Sequence, residues 1–198
     1  DRKSVVEGKS VDLGGRGIIK KKKSNGTKYV AKYWKNGVPV ALTNGTNSAE
    51  ATSIAVSGSD VYMAGYEFNG TSSSVAKFWK NTTATTLSNV ANVAEARSIC
   101  IANGDVYIAG WETNGANAVA KYWKNGVPVS LMGNTTESKA HSIFVSGNDV
   151  YAAGYEYAPI SPGSPTHIYN VIYWKNGVAT TLLGTQLSLA WANSIFVK

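Results

Sequence analysis

The chain has 198 residues, 43% of them hydrophobic and 16% charged, which is enough for one domain with a substantial core. Its formal net charge is +7, but residues 1–23 hold eight Lys or Arg against three Asp or Glu and supply +5 of that charge. The remaining +2 is spread along the chain, which argues against a nucleic-acid-binding surface. No apolar run is long enough to span a membrane.

The first 23 residues, DRKSVVEGKSVDLGGRGIIKKKK, differ from the rest of the chain. They resemble the translation of a sequencing adapter followed by an A-rich run, and nothing similar occurs elsewhere in the sequence. We therefore interpret residues 1–23 as a non-native tail and residues 24–198 as a single domain.

One phrase occurs four times in the domain. It reads AKYWKNG at 31–37 and again at 120–126, with near copies at 76–81 and 172–177. The tryptophans of these copies are 45, 44 and 51 residues apart, and the longest interval contains an insertion at 158–167. A fixed spacing of about 45 residues predicts a repeated structural unit. The predicted repeats lie near 24–50, 51–95, 96–139 and 140–198.

Each unit contains four short runs typical of β-strands. In the second unit these begin with SIAV at 53–56, DVYMAGYE at 60–67 and SVAKFW at 74–79, and the run after the Lys-Asn-Gly turn is VPVALT at 38–43 in the first copy. Val, Ile, Tyr and Trp favour strands, and Asn-Gly pairs favour two-residue hairpin turns. No window has the periodicity of a helix. The sequence therefore predicts an all-β protein built from four-stranded blades, which is the pattern of a β-propeller.

The repeat resembles known propellers in its architecture. The repeat is similar to the blades of WD40-like and kelch-like propellers, with a tryptophan at the end of the third strand of each blade. The Gly-His and Trp-Asp pairs of WD40 repeats are absent. Over residues 28–198, the phrase YWKNG…SIxVSGxDVYxAGYE resembles tandem repeats of uncharacterised bacterial secreted or cell-surface propellers. This resemblance implies a propeller and a secreted or cell-surface location, and it implies no activity.

The two ends of the sequence suggest how a ring would close. The last inner-strand phrase, at 194–197, has no following strands, while residues 7–15 align loosely with 57–65. Pairing of the terminal strands would give four blades of four strands and would protect the sheet edges. The alternative is a piece of a larger ring that associates with further blades, and the adapter-like tail favours it.

Comparison of the copies separates two kinds of position. Residues that repeat, such as the four tryptophans, are expected to pack between blades, with the preceding Tyr or Phe on the opposite face. Asp60, Asp105 and Asp149 are expected to cap turns, and KNTTA at 80–84 predicts a looser or longer connection because it lacks Asn-Gly.

Residues that change between copies stand just before each Ser-Ile pair, where the chain enters the inner strand. In a propeller these positions surround one mouth of the central channel, where loops carry function, although drift at exposed positions would give the same pattern. The predicted ligand-binding residues are Thr52, Arg97, His141, Asn193 and the nonrepeated Trp191.

These observations favour a non-enzymatic binding or scaffold module that presents a site for an unknown ligand, either a glycan or a protein. The alternative is a hydrolase- or lyase-type propeller that uses Glu67, Glu112 and Glu156, provided that they face the channel. The sequence has no recognisable nucleophile, metal-ligand or phosphate-loop motif, so no cofactor or metal is expected. Cys100 is the only cysteine and is interpreted as a small apolar residue of the inner strand.

Overall fold

The computed structural model describes the chain in segments. They are residues 16–18, 21–22, 28–70, 73–115, 117–131, 137–159, 164, 167–183 and 192–197. All regular elements in them are β-strands, as the sequence predicts. Within the same segments no helix is long and apolar enough to cross a membrane.

The strands form four successive antiparallel sheets, which we number I to IV, together with one short ribbon. Sheet I contains β1 (Arg16–Ile18), β4 (Lys32–Lys35) and β5 (Val38–Ala41), and the ribbon contains β2 (Lys21–Lys22) and β3 (Tyr29–Val30). Sheet II contains β6 (Ala49–Ser57), β7 (Asp60–Phe68), β8 (Ser74–Lys80) and β9 (Thr83–Thr86). Sheet III contains β10 (Ala94–Ala102), β11 (Asp105–Asn114), β12 (Asn117–Lys124) and β13 (Val127–Ser130). Sheet IV contains β14 (Glu137–Ser146), β15 (Asp149–Pro159), β16 (His167–Lys175) and β17 (Val178–Leu183).

Sheets II, III and IV share one plan, and sheet I differs from it. In sheet I, β1 pairs with β4 and places Gly17 opposite Trp34. The ribbon continues the same register, with Lys21 opposite Val30. Residues 7–15, which the sequence aligned with this position, lie outside the described segments, and the place beside β4 is taken by β1 instead.

The sheets stack face to face, and the repeated tryptophans fill the space between them. Trp79 lies in one buried cluster with Tyr33 of sheet I, while Trp123 packs against sheet II and Trp174 against sheet III. These three side chains are 0% exposed. The predicted packing between blades is therefore confirmed for them, whereas Trp34 is only half-buried.

The aromatic residue before each tryptophan points to the other side of its sheet. Tyr33 joins the cluster around Trp79, Phe78 packs against the cluster around Trp123, and Tyr122 packs against the one around Trp174. Successive strand residues alternate between faces, so sheets II and III each present Trp to the preceding sheet and Tyr or Phe to the following one.

Serine hydroxyls join the inner strands β6, β10 and β14. These strands lie at the sheet edge, so some of their N–H groups point away from their own sheet. The Ser53 hydroxyl accepts a hydrogen bond from the Ile99 N–H at 3.2 Å, and Ser98 accepts one from Ile143 at 3.2 Å. The repeated Ser-Ile pair is therefore a connection between neighbouring blades.

The C-terminal copy of this pair continues the series. The Ser142 hydroxyl accepts a hydrogen bond from the Ile195 N–H at 3.1 Å, and the Phe196 ring lies 4.9 Å from that of Phe144. Residues 192–197 thus lie beside the Ser-Ile pair of β14, but they are not assigned to a strand. Among the described residues, three sheets have four strands and sheet I has three, without pairing between the two ends.

The Lys-Asn part of the phrase holds the start of the second strand in each complete sheet. In sheet III, Asp105 accepts hydrogen bonds from Lys124 at 2.8 Å and from the Asn125 side chain at 2.7 Å. The side-chain Oδ1 of Asn125 in turn accepts from the Val106 N–H at 2.9 Å. The cap on the backbone is therefore the asparagine rather than the aspartate, and the hydrogen bond from Lys124 is the main reason why the pKa of Asp105 lies below its usual range. Sheets II and IV repeat these contacts.

The turns after the phrase have the same length in every copy. Asn125 and Gly126 have φ of 51° and 84°, as a two-residue hairpin turn requires. Lys80 pairs with Thr83, so the second copy also turns in two residues, and the expectation of a looser or longer connection there is wrong. Asn81 adopts the left-handed conformation itself, with φ of 57°, and that residue type tolerates it without a following glycine.

Candidate functional site

Each inner strand contains a β-bulge one residue before its Ser-Ile pair. Between β6 and β7 the register passes from Ala51–Gly65 to Ser53–Ala64, which leaves Thr52 unopposed. The same shift leaves Arg97 unopposed in β10 and His141 in β14. Bulges redirect side chains and are frequent beside functional sites. Three predicted ligand-binding residues therefore occupy equivalent bulges in three successive sheets.

A glycine opposite each bulge makes this backbone arrangement possible. A Cβ placed on Gly110 would collide with the main-chain carbonyl oxygen of Glu95, and Gly65 and Gly154 face equivalent carbonyl groups. Because backbone cannot move aside as a flexible side chain can, these positions require glycine. The Ala-Gly of the repeated DVYxAG phrase is thus explained by the bulge.

An aromatic ring stands next to each bulge. Tyr66, Trp111 and Tyr155 lie on the second strands, opposite Glu50, Glu95 and Lys139 of the inner strands. We call these six residues, together with Thr52, Arg97 and His141, the bulge cluster. Directly opposed residues of two strands share one face of the sheet and interact. In sheet II, for example, the Tyr66 hydroxyl donates to Glu50 Oε2 at 2.5 Å.

Arg97 connects sheets II and III. Its guanidinium forms an ion pair with Glu95 of the same strand and lies 5.9 Å from the centre of the Tyr66 ring. A cation over an aromatic face is attracted by the ring quadrupole. The Arg97 Nε is buried and has no hydrogen-bond partner within the described protein. One donor of this side chain is therefore available at the cluster.

Sheets III and IV are connected in a similar way by Lys139. Its ammonium group lies 4.3 Å from the centre of the Trp111 ring and 3.1 Å from Glu137 Oε1. Trp111 is buried, and its indole Nε1 has no acceptor within the described protein. Each cation of the cluster thus covers the aromatic ring of the preceding sheet.

His141 is held in an uncharged state. Its ring lies 5.6 Å from that of Tyr155. Burial lowers the pKa of His141 to about 4, and the positive charges of Arg97 and Lys139 add to this effect. The imidazole is therefore neutral at neutral pH, and its buried Nε2 has no hydrogen-bond partner in the described protein.

The other predicted site residues have different surroundings. The Thr52 hydroxyl lies 2.8 Å from the carbonyl oxygen of Ala96 and 3.1 Å from that of Ala64, so Thr52 helps to join sheets II and III. Asn193 is exposed in the C-terminal segment. Trp191 lies outside the described residues. The structure therefore places Thr52, Arg97 and His141 at equivalent bulges. The N–H of Ala192, next to Asn193, donates to the carbonyl oxygen of Gly154 at 3.3 Å.

The three repeated glutamates belong to another face of the blades. Glu67 is four residues after the fully buried Met63 in β7, so by alternation it lies on the same face as Trp79. Its carboxylate is 3.7 Å from Lys77. Glu112 accepts hydrogen bonds from Lys121 at 2.6 Å and from the Asn89 N–H at 2.9 Å.

Glu156 holds the equivalent strand position in β15, opposite Ser138 and Asn170. For Glu67 and Glu112, lysines of their own sheets are the ionic partners. This geometry gives no support to a shared acid–base site across the channel.

The sequence analysis missed the aromatic members of the cluster. Tyr66, Trp111 and Tyr155 occupy a repeated position, and repeated positions were assigned to blade packing. Two signals were available: the change from Tyr to Trp in one copy, and strand alternation, which separates this position from the neighbouring glutamate. Neither signal reveals the bulge that brings the rings beside Arg97 and His141.

Comparison with known proteins supports the fold only. No family model and no curated protein matches the sequence. Among solved structures, the chain is similar to the β-propeller domain of the Trilobed protease from Pyrococcus furiosus, which is described as having an open velcro topology. The TM-score is 0.55 at 10% sequence identity, over 88% of this chain and 54% of that one. The chain thus spans about half the length of the solved propeller, and the likeness shows that its sheets are arranged as in a β-propeller.

Proposed function

We propose that this protein is a non-enzymatic binding or scaffold module whose ligand site is the bulge cluster at one mouth of the propeller channel. The observation that carries the proposal is the contrast within each inner strand. The Ser-Ile pair repeats and joins the blades, whereas the bulged residue beside it changes from Thr52 to Arg97 to His141. A constant frame with a variable residue at one place is the arrangement expected of a binding surface on a rigid scaffold.

We further propose that the ring has four blades and that residues 192–197 supply the inner strand of the blade completed by sheet I. The hydrogen bond from Ile195 to Ser142 supports this, because it repeats the link between the other inner strands. Asn193 and Trp191 would then stand at the fourth position around the mouth. The repeat resemblance supports a secreted or cell-surface location.

The proposal is tested by NMR on ¹⁵N-labelled protein with a library of small polar fragments. We expect shift changes at the amides around Arg97 and His141. The hairpin turns at 103–104 and 147–148, at the opposite end of the inner strands, provide the internal control. Shift changes confined to those turns, or a library without any binder at the bulge cluster, would overturn the proposal.

A further inference from the structure

The bulge cluster contains three buried nitrogen atoms without hydrogen-bond partners in the described protein. They are Arg97 Nε, Trp111 Nε1 and His141 Nε2. A buried donor without an acceptor costs free energy, roughly 1 to 3 kcal/mol, and native proteins seldom keep several together. Trp111 is only 7% exposed, so its indole N–H is well shielded from bulk solvent.

An unpartnered tryptophan N–H alone would mean little in this fold. Trp79 and Trp123 also have buried Nε1 atoms without partners, but both lie in apolar clusters between sheets. Trp111 differs because the Lys139 ammonium lies over its ring and Glu95 stands opposite it on β10. Its donor is therefore part of a polar site.

Carboxylates stand beside these donors. Glu95 is paired with Arg97, and Glu50 accepts from the Tyr66 hydroxyl. A carboxylate has about four acceptor positions and can serve several donors at once. The cluster consequently offers N–H donors and carboxylate acceptors side by side.

The charges exclude two simple ligand classes. Glu50 and Glu95, together with Glu137, which accepts from the Tyr155 hydroxyl at 3.1 Å beside the cluster, carry three negative charges, while Arg97 and Lys139 carry two positive ones. With His141 neutral, an anion would meet a net negative charge. A metal cation would meet the two cationic side chains, and the described residues contain no group of three or more His, Cys, Asp or Glu side chains suited to hold a metal ion.

We infer that the bulge cluster binds a neutral carbohydrate, which deepens the proposed function and rests on it. A sugar hydroxyl both accepts and donates, so it satisfies an unpartnered N–H and a neighbouring carboxylate at the same time. The half-buried Tyr66 ring supplies the apolar contact that the C–H faces of a sugar prefer, whereas Tyr155 is 9% exposed and packs against His141. Sugar oxygen atoms accept from Arg97 and Trp111, and sugar hydroxyls donate to Glu50 and Glu95. His141 Nε2 pairs with a sugar hydroxyl, which can donate or accept.

The test applies fluorescently labelled protein to an array of immobilised oligosaccharides. The array carries neutral hexose and N-acetylhexosamine chains beside sulfated and uronate chains. We expect binding to neutral chains. Trp111→Phe keeps an aromatic ring at this position but removes the indole N–H, so it should weaken that binding at least tenfold. Trp123→Phe is the matched control, because it removes an equally buried and unpartnered N–H between sheets II and III and should leave binding unchanged. Thermal unfolding of both variants identifies any loss of fold.

Several results would overturn the inference. Preference for sulfated or uronate chains, or equal effects of Trp111→Phe and Trp123→Phe, would contradict a neutral sugar at this cluster while leaving the proposed binding function intact. The absence of any array binding would also overturn the carbohydrate assignment. If, in addition, the fragment library finds no binder at the bulge cluster, the proposed function fails with it.

Discussion

The segments 31–37 and 120–126 have the same sequence, AKYWKNG, but they lie in different surroundings. Trp123 is 0% exposed because sheet II covers its face, whereas Trp34 belongs to sheet I and is half-buried. The backbone of the two turns is almost the same, with φ of 53° at Asn36 and 51° at Asn125. Local sequence therefore sets the hairpin, and the neighbouring sheet sets the burial.

The largest loss of stability is expected when the buried member of this tryptophan pair is replaced. Trp123→Ala should lower the free energy of unfolding by roughly 3 to 5 kcal/mol, because it empties a fully buried aromatic site between two sheets. Trp34→Ala should cost only about 1 to 2 kcal/mol, since a half-exposed side chain buries less apolar area. Chemical denaturation of both variants measures the difference. Equal losses would indicate that Trp34 is covered in solution by another sheet or by a second molecule.

A second prediction concerns the bulges of the complete sheets. Gly110→Ala should destabilise the protein by about 3 kcal/mol, because the new methyl group collides with the Glu95 carbonyl group of the adjacent strand. Gly126→Ala is the control, since its Cβ would meet open space and only the positive φ of 84° is unfavourable. That cost should be about 1 kcal/mol. If both variants lose the same stability, the glycine opposite the bulge is not required by packing.

The smallest loss of stability should come from removing the serine hydroxyls that link neighbouring inner strands. Ser98→Ala removes the acceptor of the Ile143 N–H and should cost about 1 kcal/mol of unfolding free energy. Ser142→Ala removes the acceptor of the Ile195 N–H in the C-terminal segment. A similar loss there would support its role as an inner strand. In that variant, faster hydrogen exchange limited to residues 192–197, without loss of global stability, would show that the segment contributes little to the fold.

The repeated phrases were sufficient to predict an all-β protein of four-stranded antiparallel sheets arranged as in a β-propeller. The spacing of Trp34, Trp79, Trp123 and Trp174 implied a unit of four strands, and the alternation of Trp with Tyr or Phe implied packing on opposite faces. Both inferences depend on strand periodicity and on apolar burial. They hold for the complete sheets, whereas sheet I has three described strands and leaves Trp34 half-buried.

The site was predicted less completely. Arg97 and His141 were found because they change between copies, but the bulge depends on how β10 and β14 pair with their neighbours, which no local pattern encodes. The turn after Lys80 was misjudged because Asn81 was expected to need a glycine partner. The role of Asp105 was also misjudged, since its contacts with Lys124 and Asn125 join residues 19 and 20 positions apart.

The serine links have a direction, because each blade offers one hydroxyl acceptor to the next blade and one N–H donor to the previous one. Duplication of a unit of about 45 residues would therefore insert a new link without altering the chemistry of the existing ones. Such a gene can lengthen or shorten by whole units while every internal contact stays compatible. The identity of the copies at 31–37 and 120–126 is consistent with growth by this route, and it leaves the bulged residue as the position at which each new copy is free to diverge.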